Sequence, residues 1–207
     1  MNKHQLIYYY PVFIRIWHLL NALFMLVLII TGLSMQFSNT DTALISFPLS
    51  IRLHNICGIG LTASYLIFLF VNHFSGNRKH YRIEWKELRQ RLGLQVRYYL
   101  SGYFKGDPLP YPVSVENKFN PLQAISYALS MYIGVPLLVI TGFGLLFPET
   151  VLDRFFGVSG LILTDLVHVI IGFLLSIFMI IHVYMSTIGI SPLKNFRAIL
   201  TGWHRVN

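Results

Sequence analysis

A single apolar stretch, residues 160–189, constrains the fold of this chain more than any other feature. It is longer than the about 20 helical residues that cross a bilayer. Two histidines lie within it, His168 and His182, and their spacing of 14 positions returns them to within about 40° of one helix face. Because a histidine in hydrocarbon is energetically unfavourable and usually faces a partner or a cofactor, the pair indicates a functional site inside the membrane.

The composition agrees with a chain that lies mostly in a membrane. Of its 207 residues, 55% are hydrophobic and only 12% are charged, which is typical of an integral membrane protein. The one cysteine, Cys57, excludes a disulfide framework, and no Cys-x-x-Cys-His motif supports covalently attached haem. The net charge of +8 does not indicate a nucleic-acid partner, because in a membrane chain the distribution of charge between loops matters more than its sum.

Hydropathy predicts four spanning helices in a single domain, 1–207, so the expected fold class is an all-α integral membrane protein, a four-transmembrane-helix bundle. The spans are predicted at 11–35, 51–74, 121–147 and 160–189. A long loop, 75–120, separates the second span from the third. Its segment 83–104 carries aromatic and aliphatic residues at helical spacing beside basic ones, so we expect an amphipathic helix in the membrane interface. Pro136 predicts a distortion of the third helix.

The basic residues predict the orientation of the chain. The side that holds both termini and the long loop carries 14 of the 16 Lys and Arg residues, whereas the opposite side carries only Arg52 and Arg154. Because cytoplasmic segments are enriched in Lys and Arg, we expect both termini and the long loop to be cytoplasmic. The expected location is the bacterial cytoplasmic membrane, crossed several times.

Four histidines lie within the predicted spans, and helix geometry sorts them into two levels. His18 and His182 lie at a similar depth from the cytoplasmic boundary, and His54 and His168 lie at a similar depth from the opposite boundary. One histidine alone in a helix is more often a hydrogen-bonded core residue than a ligand. Four histidines that match in depth by pairs favour axial ligation of two haem irons, one at each level.

Other metal sites fit this pattern less well. Zinc and copper sites use three or four clustered ligands, often with cysteine or carboxylate. Here each level offers two imidazoles and at most one nearby acid, Asp165. Two axial imidazoles complete the coordination of a haem iron, which then carries electrons and leaves no position for a substrate. An alternative from another class is a metal-ion or proton transporter that uses the histidines as a relay.

Several motifs resemble those of a known family. They are Arg-x-Trp-His-x-x-Asn at 15–21, His54 at the start of the second span, Lys-Phe-Asn-Pro-Leu-Gln at 118–123 and the histidine pair of the fourth span. Over all four spans and the long loop, the chain resembles the dihaem cytochrome b subunits that anchor respiratory thiosulfate reductases, formate dehydrogenases and nickel–iron hydrogenases. Its first residues and its compact length look most like the thiosulfate reductase type.

The resemblance implies two haem b groups with the same ligand pairs, and a quinone site near the cytoplasmic haem that takes menaquinone or ubiquinone. The positions that match the family's quinone site include Asn120, Gln123 and His182. In the alternative interpretation, Asn120 and Pro121 simply cap the third helix, and the two roles are compatible. Pro121 and Leu122 occupy positions where some members of the family have small residues, so the shape of the quinone slot is expected to differ from theirs.

Two arginines lie within one helical turn of a predicted haem ligand. Arg15 precedes His18 and Arg52 precedes His54, so both are candidates to neutralise haem propionates. For Arg15 the alternative role is anchoring on the cytoplasmic side. Arg52 lies on the other side, where that alternative is weaker.

We therefore expect a dihaem b-type cytochrome that carries electrons between the membrane quinone pool and its partners on the periplasmic side, an iron–sulfur subunit and a large catalytic subunit. The chain shows no catalytic nucleophile, acid–base pair or nucleotide-binding loop. It is expected to be the electron-transfer subunit of a respiratory oxidoreductase, in contact with lipid, with quinone redox chemistry as its only reaction. The alternative is a stand-alone bacterial cytochrome b561-like carrier, which usually has a shorter connection than this basic loop.

Overall fold

The computed structural model describes residues 5–8, 10–37, 44–75, 77–81, 83–112, 119–188 and 193–206. In this part of the chain four helices are long and apolar enough to cross a membrane. They are the first span, Val12–Phe37, the second, Phe47–Phe74, the third, Pro121–Leu146, and the fourth, Gly160–Thr187. The predicted fold class, an all-α integral membrane protein with four spans, is confirmed. The chain forms two compact units, Met1–Ile67 with Leu137–Asn207, and Phe68–Pro136.

The ends of the helices differ by a few residues from the predicted bounds. The second span begins at Phe47 rather than at residue 51, because Pro48 occupies its first turn, where a missing N–H is tolerated. The third span begins at Pro121 behind an Asn120 cap. The fourth span ends at Thr187, and the predicted end at residue 189 lies outside the described residues.

The third span contains a wider helical turn ahead of its proline. Residues Ser130–Gly134 form a π-helical turn, and regular helix resumes at Val135–Leu146. Pro136 has no N–H to bond to the carbonyl four residues earlier, and its ring presses on that carbonyl. A single π-helical turn inside an α-helix is a known form of such a local distortion.

Polar side chains share the interior with apolar ones, unlike the interior of a typical water-soluble protein. The largest fully buried side chains are those of Gln95, Thr31 and Ser50. Many large apolar side chains of the spans are exposed instead, for example Ile180 at 70% and Ile59 at 61%. In lipid an exposed isoleucine is favourable, and the buried hydroxyls of Thr31 and Ser50 find hydrogen-bond partners inside.

The long loop contains the predicted helix, but this helix begins later than expected. Regular helix covers Leu88–Arg97, here named the loop helix, and continues through a π-helical turn, Tyr98–Gly102. Glu87 has a φ of 53°, and this left-handed conformation stops the helix from extending back to Trp85. The loop helix packs against the start of the third span. Its place in the membrane interface stays a prediction.

The two ends of the chain pair with each other, which the sequence did not indicate. Strand β1, Gln5–Tyr8, runs antiparallel to strand β4, Trp203–Val206. Between the fourth span and β4 lies a short helix, Lys194–Thr201, here named the tail helix. The pairing brings both ends of the described chain to the same side of the spans, as four crossings require.

A small hairpin connects the third and fourth spans. Strand β2, Arg154–Phe155, pairs with strand β3, Val158–Ser159. Its two turn residues, Phe156 and Gly157, both have positive φ, 49° and 82°, as the tight turn of a two-residue hairpin requires. The fourth span begins directly after β3.

Candidate functional site

His54 and His168 face each other across the second and fourth spans. Their ring centres are 6.2 Å apart, with an angle of 65° between the ring planes. A metal ion bonded at about 2 Å to one nitrogen of each imidazole would separate two ring centres by roughly 6 Å. The spacing of this pair therefore fits two axial ligands of one iron.

The helix surface beside this pair is open at two glycines. Each histidine is followed one helical turn later by a glycine, Gly58 after His54 and Gly172 after His168. A Cβ placed on Gly58 would have no atom within 4 Å, and one placed on Gly172 would have only the Cδ2 of Leu138, at 4.0 Å. The side of each helix next to the imidazole is thus kept clear of side-chain atoms.

Two threonines fix the orientation of these imidazoles. The Oγ1 of Thr31 lies 2.9 Å from the Nδ1 of His54, and the Oγ1 of Thr141 lies 2.8 Å from the Nδ1 of His168. Each hydroxyl also lies within donating distance of a carbonyl of its own helix, that of Val27 at 2.7 Å and that of Leu137 at 2.6 Å.

These contacts suit one tautomer of both rings. When each threonine hydroxyl donates to its own helix carbonyl, its oxygen accepts from the imidazole, and Nδ1 carries the hydrogen. The lone pair of each ring then lies on Nε2, the nitrogen that remains for a metal. All four spans contribute to this level, since Thr31 and Thr141 come from the first and third.

The glycine after each threonine lets the imidazole lie against the helix backbone. A Cβ on Gly32 would stand 3.5 Å from the Cε1 of His54, and one on Gly142 would stand 3.2 Å from the Cε1 of His168. The second distance is tighter than an ordinary van der Waals contact. A larger residue at position 142 would therefore push the ring of His168 out of place.

His18 and His182 form the second pair, between the first and fourth spans. Their ring centres are also 6.2 Å apart, with 48° between the planes, and the ring of Phe178 stacks on His182 at 5.9 Å. The Nδ1 of His18 is buried and has no hydrogen-bond partner among the described residues. The spacing of the two rings fits two axial ligands here as well. His18 differs from His54 because no threonine oxygen of the described residues lies at its Nδ1.

The motif around His18 holds the first span against the second. The indole of Trp17 donates to the carbonyl of Ser64 at 3.1 Å, and the amide of Asn21 donates to the hydroxyl of Ser64 at 2.7 Å. Two hydrogen bonds to one residue fix the rotation of the first span about its axis. They thereby direct the helix face that carries His18 towards His182 of the fourth span.

The two arginines have different surroundings. The guanidinium of Arg15 donates to the carbonyls of Ile199, at 3.2 Å, and of Leu200, at the negative end of the tail helix dipole. Arg52 is exposed and makes no hydrogen bond or ion pair with the described residues. A propionate partner stays a prediction for both. The structure adds a contact between Arg15 and the tail helix that the sequence did not indicate.

Asn120 and Gln123 cap the third span. The side chain of Asn120 accepts from the backbone N–H of Gln123 at 2.9 Å, and that of Gln123 accepts from the N–H of Asn120 at 3.1 Å. The capping interpretation is confirmed. The amide of Asn120 also donates to the hydroxyl of Tyr99, at 3.0 Å. The quinone role of these residues stays a prediction, and Lys118 of the same motif lies outside the described residues.

The arrangement favours a cofactor with two protein ligands at each level. Among the described residues, no three His, Cys, Asp or Glu side chains come together as a metal cluster. The two histidine pairs share the fourth span, where 14 positions correspond to about 21 Å along the helix. Two redox groups held in this way would form a path through the membrane.

The threonines are the site residues that sequence reasoning missed. The tripeptide Ile-Thr-Gly occurs at 30–32 in the first span and again at 140–142 in the third. In both places the threonine binds a histidine of another helix, and the glycine makes room for the ring. The repeat is short, but its position at similar depth in two spans was a usable signal.

Comparison with known proteins gives two matches. A family model described as prokaryotic cytochrome b561 matches residues 9–202. The chain is also similar to the protein named "Putative cytochrome YdhU" of Escherichia coli (strain K12), with 35% identity over 199 residues. That alignment covers 96% of this chain and 75% of the relative. The range 9–202 contains all four spans and all four paired histidines.

Proposed function

The chain belongs to the prokaryotic cytochrome b561 family, which makes it a multi-pass membrane cytochrome with haem b. We propose that it is a dihaem cytochrome that carries electrons across the bacterial cytoplasmic membrane. The observation that carries the proposal is the equal ring spacing, 6.2 Å, of two separate histidine pairs. Each pair has the spacing of two imidazoles bonded to one metal ion. Both termini and the long loop would be cytoplasmic, as the basic residues predict.

In this proposal His54 and His168 hold one haem iron, and His18 and His182 hold the other. A bound haem b supplies an iron that changes its oxidation state by one electron. Thr31 and Thr141 hold the Nδ1 protons, so that Nε2 of His54 and of His168 is available as a ligand. Arg52, which has no other partner among the described residues, would bind a haem propionate.

We further propose that the electrons enter or leave through a membrane quinone, menaquinone or ubiquinone. The amide side chains at the start of the third span support this. Their oxygens cap the helix, but their NH₂ groups keep hydrogens that can be donated to a quinone oxygen. The resemblance of segment 118–123 to the quinone segment of the dihaem family gives further support. A neutral site of this kind needs no catalytic nucleophile or metal of its own.

The finer assignment concerns the partners. We propose that the chain is the membrane subunit of a respiratory oxidoreductase, of the thiosulfate reductase type, with an iron–sulfur subunit and a large catalytic subunit on the periplasmic side. A stand-alone quinone-linked carrier agrees equally well with membership of the cytochrome b561 family. The transporter alternative gains nothing from that membership, because a transporter that uses a histidine relay needs no haem.

Purification under mild detergent tests the proposed function. We expect the natural host's membranes to yield the tagged chain with a b-type absorption spectrum and about two haems per chain, together with an iron–sulfur protein. A dihaem chain that purifies alone would favour the stand-alone carrier. A chain with no haem spectrum would contradict the proposal altogether.

A further inference from the structure

A groove lies between the first part of the long loop and the exposed side of the third span, here named the loop groove. It has a volume of about 840 Å³, within the range of roughly 300–1,000 Å³ that is typical of small-molecule sites. The loop contributes one wall and the third span the other. The residues used below are Tyr81 and 83–86 from the loop, and Leu129, Tyr132 and Ile133 from the span.

Contacts within the unit Phe68–Pro136 hold the two tyrosines of the loop groove in place. The ring of Tyr81 meets the edges or faces of three other rings, with ring centres 5.7, 5.7 and 5.9 Å away, and such edge-to-face arrangements are favourable. These rings belong to Phe68, Phe119 and Tyr132. The hydroxyl of Tyr132 also accepts a hydrogen bond from the amide of Asn72, at 2.6 Å. The groove therefore has a defined shape of its own.

The third-span wall of the loop groove lies at the depth of lipid chains. This span has 26 residues, about 39 Å of helix, so it exceeds the hydrocarbon core by roughly 9 Å. Leu129 and Ile133 follow Pro121 by 8 and 12 positions, which places them roughly 12 and 18 Å along the helix. Both side chains are about half exposed. This wall can therefore contact an acyl chain favourably.

The loop wall carries one positive charge that no acid of the described residues neutralises. Glu84 forms an ion pair with Arg91, with 2.6 Å between oxygen and nitrogen, so the charge of this carboxylate is compensated. Lys86 is exposed and forms no ion pair with the described residues. Trp85 is 76% exposed, as is typical of an aromatic residue at the surface of a membrane. A ligand with an anionic group and an apolar tail would match both walls.

The groove on the other side of Trp85 does not show this match. Its lining includes Glu87 and Arg89, whose opposite charges compensate each other. The residues that line it all belong to the loop, so it has no wall at the depth of lipid chains. Of the two grooves, the loop groove alone joins an uncompensated cation to an apolar wall of a spanning helix.

We propose that the loop groove binds an anionic phospholipid from the leaflet on the side of the long loop. The phosphodiester lies at the ammonium group of Lys86, because anionic lipid is attracted to lysine near a membrane surface. An acyl chain lies along Leu129 and Ile133. A soluble phosphate compound has no apolar part for this second wall, and a quinone has no charge for Lys86 to bind. The site goes beyond the proposed function, since it does not depend on electron transfer.

The test measures which phospholipid stays on the full-length, haem-loaded protein. Delipidated protein in detergent is incubated with phosphatidylglycerol or with phosphatidylcholine of the same acyl chains. Gel filtration removes free lipid, and mass spectrometry counts the bound lipid per chain. Lys86→Gln removes the charge, Lys86→Arg keeps it, and Leu129→Trp fills the apolar side of the groove. The matched control is Lys105→Gln, because Lys105 is an exposed lysine of the same loop that does not line the groove.

We expect the wild type to retain about one more phosphatidylglycerol than phosphatidylcholine per chain. Lys86→Gln should raise the Kd of phosphatidylglycerol about fivefold, the effect of one lysine at a charged membrane surface. Leu129→Trp should release this lipid as well, because its ring takes the place of the acyl chain. Lys86→Arg and Lys105→Gln should bind as the wild type does. The haem spectrum should be the same in all variants, which shows that each of them is folded.

Three results would overturn the inference. Equal retention of the two lipids by the wild type would mean that the groove holds unselected boundary lipid only. Equal Kd values for phosphatidylglycerol in Lys86→Gln and the wild type would exclude Lys86 as the headgroup contact. Release of bound phosphatidylglycerol by added ubiquinone-1 would assign the groove to quinone instead of lipid. Because the lipid count does not depend on electron transfer, a failure of the proposed function is measured separately, by the haem content and the quinol reaction.

Discussion

The hydroxyl oxygen of Thr31 lies 2.9 Å from the Nδ1 of His54, and this contact between two helices occupies Nδ1 and leaves Nε2 as the ring nitrogen for a metal. Thr141 repeats the contact with His168 at 2.8 Å. An acceptor on Nδ1–H makes an imidazole a stronger ligand and holds its ring in place. The pair of threonines therefore contributes to the chemistry of the site without touching a metal.

Replacing Thr31 with valine should raise the midpoint potential of one haem and leave the other unchanged. Without the acceptor, His54 becomes a weaker electron donor to iron and stabilises the oxidised form less. A hydrogen bond worth about 0.5–1.5 kcal/mol corresponds to a shift of roughly 20–60 mV for one electron. A spectroscopic redox titration measures the shift.

The controls for Thr31→Val separate chemistry from packing. Thr31→Ser keeps the acceptor and should restore the wild-type potential. Thr62→Val is the matched control in the second span, because among the described residues the hydroxyl of Thr62 bonds only to the carbonyl of Gly58, at 2.8 Å. Equal potentials in Thr31→Val and wild type would show that the contact has no influence on the haem.

Replacing Arg15 with glutamine should release the tail helix. The guanidinium of Arg15 binds the last carbonyls of that helix, and its loss should destabilise the docked tail by roughly 1 kcal/mol. Limited proteolysis should then cleave the tail several times faster, with both haem potentials unchanged. A shift in the potential of one haem with a protected tail would instead favour the propionate role for Arg15.

Two substitutions of Asn120 should separate its capping role from a role in quinone binding. Asn120→Leu removes the cap and should cost about 1 kcal/mol of stability, whereas Asn120→Asp keeps the acceptor that caps the third span. If the amide also binds quinone, both variants should be reduced by quinol roughly three- to tenfold more slowly. Stopped-flow measurements of haem reduction, beside thermal unfolding, distinguish the roles. If quinol reduces the haems of Asn120→Leu slowly but those of Asn120→Asp at the wild-type rate, capping is the only role of Asn120.

The spans and the pairing of histidines by depth followed from local sequence, because length, hydropathy and helical periodicity are properties of one segment at a time. The contacts of Thr31 and Thr141 each join two different helices, so the periodicity within one helix does not reveal them. The same holds for the pairing of β1 with β4 and for the anchoring of the tail helix by Arg15. The start of the second span was predicted too late, at residue 51 rather than Phe47. Pro48 was taken for a loop residue, although proline is favourable in the first turn of a helix.

Haem content and redox behaviour of the four single histidine variants test the central claim most directly. Wild-type protein should contain about two haems b per chain by pyridine haemochrome. His54→Ala and His168→Ala should each lose about half of this, and the haem that remains should have the same midpoint potential in both variants. His18→Ala and His182→Ala should lose the other haem, and the haem that remains in them should have the midpoint potential that is missing from the first two variants. One haem in the wild type, or a remaining potential that differs between His54→Ala and His168→Ala, would contradict the paired ligation.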